Sequence, residues 1–403
     1  MIEETDAYIY GGTRTPFGRH AGVLESVRSD DLLAAAIHRL VEIFRIPPES
    51  VEDVVAGCAN QAGEDSRNVA RHAALLAGLP VGVGGVTVNR LCGSGLAAVA
   101  DAARAVSAGQ GDVIIAGGTE SMTRAPFVMA KAERPYSREH RMYDSTLGYR
   151  FPNPRFVEQF GNETNPQVGD NCAHDYDISR DASDRFALAS QQKYAKALAA
   201  GFYEGEISTP VTVHNGKAQR VVTADEPPRP ESTLEGLAKL RTINDGGVVT
   251  AGNASSINDG AAALLIGSEA AGERFGWKPW ARVVTVAVAG VPPRLFGIGP
   301  IPATHKVLER SGLSLKDMDV IEINEAFASQ VLACLKGLGL SSDDSRVNPN
   351  GGAIAIGHPL GASGARLTLT AARELIQRNG RYALLTLCIG VGQGIAMIIE
   401  RIA

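Results

Sequence analysis

The chain has 403 residues, 44% of them hydrophobic and 21% charged, with a net charge of -5. That is the composition of a packed globular protein too long for one ordinary core, so two or three domains or lobes are expected. The mildly acidic balance excludes a broad basic field for nucleic acid, and no window approaches the roughly eighteen consecutive apolar residues of a membrane-spanning helix.

Glycine is abundant at 45 residues and aromatic content low at 5%, which points to tight turns and close backbone approaches. The cysteines (Cys58, Cys92, Cys172, Cys334, Cys388) are odd in number and form no C-x-x-C pair, as expected of a reducing compartment. Cys172 and His174 stand two apart without further ligands around them, so no metal site is expected. The acidic start Met1-Ile-Glu-Glu-Thr-Asp6 and the ending Glu400-Arg-Ile-Ala403 carry no targeting pattern, which leads to the expectation of a cytoplasmic protein.

In chain order, Ala7 to Gly11 reads as a strand and Arg14 to Arg19 as a loop. Asp30 to Phe44 carries Leu32, Leu33, Ala36, Leu40, Val41 and Phe44 on one helical face until Pro47 and Pro48 stop it. A strand over Val51–Gly57 and a helix over Asn68–Ala77 follow. Val86-Thr-Val then enters a turn, Asn89-Arg-Leu-Cys-Gly-Ser-Gly95, and a helix with Leu96, Val99, Ala100, Ala103 and Val106 at helical spacing. Val113 to Gly118 is a buried strand, and the alternation implies a mostly parallel sheet with helices on it.

From Ala281 the same order returns. It comprises strand Val283–Val288, helix Pro302–Ser311, strand Val320–Ile323, helix Phe327–Leu338, a helix from Gly364 into Leu375, and strand Tyr382–Leu387. Asn89 before its glycine-rich turn matches Asn348, and the Gly117-Gly118 strand end matches that of Cys388. The pattern is an internal duplication of one βαβ-rich unit. Between the halves, residues 119–249 differ in composition: Thr123 to Phe160 is rich in Arg, Pro, Tyr and Phe, Ser183–Leu198 reads as an amphipathic helix, and Asp225-Glu-Pro-Pro-Arg-Pro230 is an extended breaker. This stretch reads as an inserted lobe without regular strands that covers a site. The expected division is residues 1–118 for the first half, 119–249 for the inserted loop domain, 250–280 for a return segment completing the first half, and 281–403 for the second half.

Ligands of open parallel sheets gather at the carboxyl ends of the strands, where Cys92, Asn324, His358 and Cys388 would all emerge. Cys92, between glycines at the mouth of a helix, is either an inert packed cysteine or a thiol whose pKa the helix N-terminus lowers from its usual ~8.5. His358 in Gly357-His-Pro359 is either structural or, in the repeat element answering the Cys92 turn, close enough to activate that thiol. Cys388 is either a small core residue or a second functional thiol sharing a cavity with the Gly390 N–H. Asn324 is either a helix cap or an amide that fixes a water for an oxyanion, with Glu325 holding the loop. Gly390-Val-Gly-Gln-Gly394 has the wrong spacing for a dinucleotide fingerprint.

Together the loops Cys92-Gly-Ser94, Asn324-Glu-Ala-Phe327, Gly357-His-Pro359 and Cys388-Ile-Gly390 resemble those of the thiolase family, the acyltransferases that make or cleave 3-oxoacyl-CoA. The resemblance extends to Arg14-Thr-Pro, Gly118-Thr-Glu-Ser-Met, the 225–230 linker and Thr250-Ala-Gly-Asn-Ala-Ser-Ser. It implies an α/β fold of five layers, αβαβα, built from two duplicated halves with an inserted loop domain, in a homodimer or homotetramer. It implies no tightly bound cofactor, with coenzyme A as co-substrate. It further implies Cys92 as the acylated nucleophile, His358 as its base and Cys388 as the acid/base at the α-carbon of acetyl-CoA. The N–H groups of Cys92 and Gly390 would form one oxyanion hole, and a water on Asn324, with His358, the other. Ser255 resembles the position that bonds pantetheine, Arg229 one near the adenine, and Phe327 falls among the CoA-binding positions.

Where the family commonly shows Met-x-x-Thr-Ala-Glu-Asn, this chain has Asn165-Pro-Gln-Val-Gly-Asp-Asn171, so Asn165 and Gly169 alter a wall beside the pantetheine. The stretches 119–129 and 144–154 resemble thiolases acting on 3-oxoadipyl-CoA. A distal carboxylate there calls for a cation, and the lobe offers Arg124, Lys131, Arg134, Arg138, Arg141, Arg150 and Arg155. The alternatives are an acetoacetyl-CoA or general 3-ketoacyl-CoA thiolase, a β-ketoacyl synthase, or a non-catalytic acyl-CoA or lipid carrier.

Overall fold

Two half-sheets join edge to edge in this computed structural model, which describes residues 5–216 and 218–402. Residues 1–4, most of the acidic start, and residue 403 lie outside the described residues. The first half supplies β1 (Tyr8–Arg14), β2 (Asp53–Gly57), β3 (Val86–Val88), β4 (Val113–Ser121) and β5 (Asn258–Gly267). The second supplies β6 (Ala281–Gly290), β7 (Met318–Ile323), β8 (Tyr382–Ile389) and β9 (Gln393–Arg401). Their order across the sheet is β7-β8-β9-β6-β1-β5-β4-β2-β3, with the short strand Gly18–Arg19 beside β5.

The duplication is present strand for strand. In the first half β1, β5 and β4 pair antiparallel, then β4, β2 and β3 parallel. In the second half β6, β9 and β8 pair antiparallel and β8 and β7 parallel, while Val347 bridges Ile321 in parallel where β3 stands in the first half. The halves meet where β1 and β6 pair antiparallel through Tyr8 with Arg282 and Ile9 with Ala281. The sheet is therefore mixed rather than mostly parallel. The return strands β5 and β9 insert antiparallel, β9 through a tight turn whose Val391 and Gly392 both have positive φ, 66° and 85°.

The helices of eight residues or more are α1 (Ser29–Phe44), α2 (Val69–Leu76), α3 (Ser94–Ser107), α4 (Asn165–Asp175), α5 (Arg180–Ala199), α6 (Pro300–Ser311), α7 (Ala328–Gly337) and α8 (Leu360–Gln377). α1 and α2 cover the outer face of the first half-sheet, α6 the outer face of the second, and α7 joins the same outer core; α3 and α8 lie between the half-sheets. These are the five layers, αβαβα. Three apolar cores follow from this. Leu96 and Val99 of α3 and Leu367 of α8 meet Ile114 and Leu385 in the centre, Leu33 and Leu40 meet Ile115 outside the first half, and Val307 and Val331 meet Leu384 outside the second. Neighbours Ile114 and Ile115 face different cores because side chains alternate along a strand, so strands covered on both faces read as unbroken apolar runs.

α3 and α8 touch backbone to backbone. A methyl on Gly95 would stand 2.5 Å from the Gly361 carbonyl oxygen, and one on Gly364 would stand 2.0 Å from the Leu96 nitrogen. Burial of α3 extends beyond the apolar residues at helical spacing to Ala97, Ala98 and Ala102, because its Ala and Gly residues let the second helix and both sheets approach, while Asp101 and Arg104 stay exposed.

Residues 122–249 hold α4, α5 and two small hairpins, Phe127–Met129 with Met142–Asp144 and Val211–Asn215 with Ala218–Val222, so the expected absence of strands does not hold. β4 also runs on to Ser121, past the expected boundary at 118. The lobe is tied down by fully buried Arg14, whose guanidinium donates to Glu206 at 2.7 Å and to both oxygens of Asp225 at 2.7 and 2.9 Å. Among the described residues no helix is long and apolar enough to cross a membrane.

Gly364→Ala is expected to reduce the unfolding free energy by about 2–3 kcal/mol in a urea titration, because backbone atoms of a neighbouring helix cannot move aside. Gly82→Ala, whose methyl meets no atom within 4 Å, is the control and should stay within about 0.5 kcal/mol.

Candidate active site

The contact between α3 and α8 places two loops side by side, since Cys92 and His358 each stand three residues before a glycine of that contact. Leu91, with φ at 46°, turns the chain so that Cys92 meets a cavity of about 290 Å³. Leu360, Gly390, Val391, Glu120 and Asn165 border the same cavity. The sulfur faces the backbone N–H groups of Gly390 and of Cys92 itself. Burial nevertheless outweighs these donors and pushes the thiol up to about 11. The expectation of a thiolate favoured by the helix N-terminus is thus reversed: desolvation of the charged form is the larger effect.

His358 is 4% exposed and held on three sides. Its backbone N–H donates to Asn258 Oδ1 at 2.8 Å, its Nδ1 lies 2.6 Å from Ser363 Oγ, and its Nε2 lies 3.2 Å from Asn324 Nδ2. Ser363 Oγ donates its own proton to the Pro359 carbonyl at 2.8 Å, so it accepts from Nδ1–H and leaves the Nε2 lone pair for a donor. Burial, aided by the charge of Arg366, lowers the imidazole pKa to about 3. Cys388 is fully buried, and burial followed by the neighbouring Cys92 charge raises its thiol well above the ordinary range.

Asn324 and Glu325 follow β7. Asn324 bonds His358 through its amide nitrogen while its Oδ1 is buried without a partner among the described residues. Glu325 holds the loop, accepting from Ser190 Oγ at 2.7 Å, Ile354 N at 3.0 Å and Asn348 Nδ2 at 2.8 Å. The arrangement offers a neutral thiol with two N–H donors aimed at it, an imidazole whose Nε2 lone pair meets only the Asn324 amide, and a second protonated thiol. That set suits attack on a carbonyl whose oxygen becomes anionic.

The expected CoA contacts, like His358, Asn324 and Cys388 themselves, do not border this cavity. Ser255 donates its hydroxyl to the Ala326 carbonyl at 3.2 Å, Arg229 is exposed with its N–H on Gln191 Oε1 at 2.9 Å, and Phe327 packs against Cys388 and Val168; none borders the 290 Å³ cavity. Of the two departures in α4, Asn165 borders the cavity, whereas Gly169 packs on the Phe327 ring. Cys172 is buried and His174 exposed beside Asp175, and no group of metal-ligating side chains occurs among the described residues.

Sequence reasoning passed over Ser363, Asn258 and Glu120. Ser363 was findable, since five residues after a histidine at a helix start fall one turn into that helix. Glu120, 2% exposed, accepts from the N–H groups of Ala59, Asn60 and Gly361 at 2.9, 3.0 and 2.9 Å, and burial still raises its carboxyl to about 7.

Comparison with known proteins now bears on this geometry. The model of the thiolase N-terminal domain matches residues 7–270 and that of the thiolase C-terminal domain residues 277–401. The chain is 58% identical over 402 residues to the 3-oxoadipyl-CoA/3-oxo-5,6-dehydrosuberyl-CoA thiolase of Escherichia coli K12, covering 98% of this chain and 100% of that one. It is 55% identical over 401 residues to a beta-ketoadipyl-CoA thiolase of Acinetobacter baylyi, covering 98% and 99%. The crystal structure of human mitochondrial 3-ketoacyl-CoA thiolase superposes with a TM-score of 0.92 at 38% identity over 99% of each chain.

Two outcomes follow from the buried electrostatics. Alkylation of Cys92 by iodoacetamide should accelerate steadily from pH 7 to 10 without the neutral plateau of a thiolate–imidazolium pair, as read by peptide mass spectrometry. Glu120 keeps in the native state a proton that the unfolded chain releases near its ordinary pKa, so it favours folding at low pH and this contribution is lost as pH rises to about 7. The melting temperature of Glu120→Gln relative to the parent should therefore rise between pH 4.5 and 7, by the equivalent of roughly 3 kcal/mol.

Proposed function

Because the chain belongs to the thiolase family and is an acyltransferase, we propose that it cleaves a 3-oxoacyl-CoA with a distal carboxylate, 3-oxoadipyl-CoA, through an acyl-Cys92 intermediate. The observation that carries the substrate is the near-full-length identity of 58% to a thiolase named for it. The organisation of the site supports the mechanism.

Cys92 attacks the C3 carbonyl of the substrate as its proton passes to the Nε2 lone pair of His358. With the thiol at about 11 and the imidazole at about 3, the resting pair is neutral, and the transfer accompanies attack rather than preceding it. The N–H groups of Cys92 and Gly390 receive the alkoxide of the tetrahedral adduct. One such donor is typically worth ~3 kcal/mol of barrier. Collapse breaks the C2–C3 bond, leaving a succinyl thioester on Cys92 and the enolate of acetyl-CoA. His358, with a water on Asn324, stabilises that enolate, and Cys388 protonates its α-carbon, a role open to a thiol that stays protonated at neutral pH. Coenzyme A, the co-substrate, then returns a proton from its thiol to Cys388 as its sulfur takes the succinyl group, and His358 hands its proton back to the departing Cys92 sulfur.

The proposal extends to organisation: residues 1–121 and 250–280 as one half, with the boundary moved to the end of β4, 281–403 as the other, 122–249 as the loop domain, Ser255, Arg229 and Phe327 along the path of CoA, and a cytoplasmic homodimer or homotetramer. The resemblance to the family supports these readings.

Steady-state rates test the substrate. The kcat/KM for 3-oxoadipyl-CoA is expected to exceed that for acetoacetyl-CoA by at least about 10-fold, a difference that one charged contact supplies. Equal or reversed values would make the protein an acetoacetyl-CoA or general thiolase. Cys92→Ser should lower turnover by about a thousandfold or more, and mass spectrometry of the quenched parent enzyme should find a succinyl group on Cys92.

A further inference from the structure

We propose that Arg150 is the specificity residue of this site, the group that receives the distal carboxylate of the substrate. The inference rests on the substrate reading above and assigns the feature that produces it. Seven lobe cations stand near enough in sequence to be considered, and the fold separates them. Arg124 is engaged by Glu64 through two 2.6 Å bonds, and its remaining arm donates to the Glu25 carbonyl. Lys131, Arg134, Arg138, Arg141 and Arg155 are exposed. Among the described residues Arg150 is the only Arg or Lys bordering the cavity that holds Cys92.

The guanidinium is anchored but not neutralised. One nitrogen, Nη2, donates to the Ser145 carbonyl at 2.8 Å, and Ser145 is itself buried and fixed by Asn60 Nδ2 at 3.2 and 3.1 Å. Among the described residues the buried Nε–H has no partner and no carboxylate forms an ion pair with the side chain. An unsatisfied arginine donor beside an apolar wall, here Met122, Leu147 and Phe160, is costly unless a ligand completes it. A carboxylate is the partner whose two oxygens fit a guanidinium edge.

The other charges on the wall sharpen the choice. Glu163 also borders the cavity and repels an anionic acyl chain, whereas burial holds Glu120 toward its neutral form. A substrate ending in a carboxylate is admitted only where a cation offsets that charge, and Arg150 is the cation on this wall. A substrate ending in a methyl gains nothing from Arg150.

The test uses the full-length protein and the ratio of kcat/KM for 3-oxoadipyl-CoA to that for 3-oxohexanoyl-CoA, which has the same chain length with a methyl in place of the carboxylate. The ratio does not depend on how much of a variant folds. The parent should favour the dicarboxylic substrate. In Arg150→Gln the ratio should fall about 10- to 100-fold, with the loss mainly in KM, and in Arg150→Lys it should be intermediate. A parent preference that survives unchanged in Arg150→Gln would overturn this assignment while leaving the substrate reading intact. A parent without preference would overturn both.

Discussion

Two helix N-termini meeting without side chains between them is the constraint on which the site depends. Gly95 of α3 and Gly361 and Gly364 of α8 let backbone atoms come within contact distance, and Gly57 at the end of β2 and Gly118 within β4 crowd the same point. Because Cys92 and His358 sit the same three residues upstream of this contact, one on each half of the duplication, the distance between their loops is set by backbone sterics.

Burial follows from that closeness, and burial sets the electrostatics. The thiols of Cys92 and Cys388, the imidazole of His358 and the carboxyl of Glu120 all shift toward their neutral forms, so the resting site carries little charge. Such a site stabilises charge only where donors already point, at the N–H groups beside the Cys92 sulfur. In low polarity these fixed dipoles act more strongly than the same groups in water.

The polar face of α8 links the site to the lobe. Ser363 meets His358, Arg366 pairs with buried Glu322 at 3.3 Å, Thr370 donates to Glu206 at 2.9 Å, and Glu374 accepts from Asn350 at 2.8 Å, each about one helical turn from the next. Glu206 in turn holds Arg14, which holds Asp225 of the lobe's 225–230 linker. Buried pairs of this kind contribute little net stability, because desolvation offsets most of the attraction, yet a misplaced lobe would leave several charges unpaired. The network thus fixes where the lobe sits over the cavity, and with it the position of Arg150.

By itself the sequence determined the duplicated order of strands and helices, the loops that carry Cys92, Asn324, His358 and Cys388, and the family. Those features rest on local signals: apolar runs in strands covered on both faces, glycines at strand ends, and polar residues following a strand. Only the tertiary structure decided that the sheet is mixed, since antiparallel β5 and β9 are inserted beside strands distant in the chain. It alone reversed the expected pKa of Cys92, because a helix N-terminus is visible in sequence and the burial that outweighs it is not. It alone separated Arg150 from six similar cations, for which side chains approach the cavity depends on lobe packing across more than a hundred residues of chain.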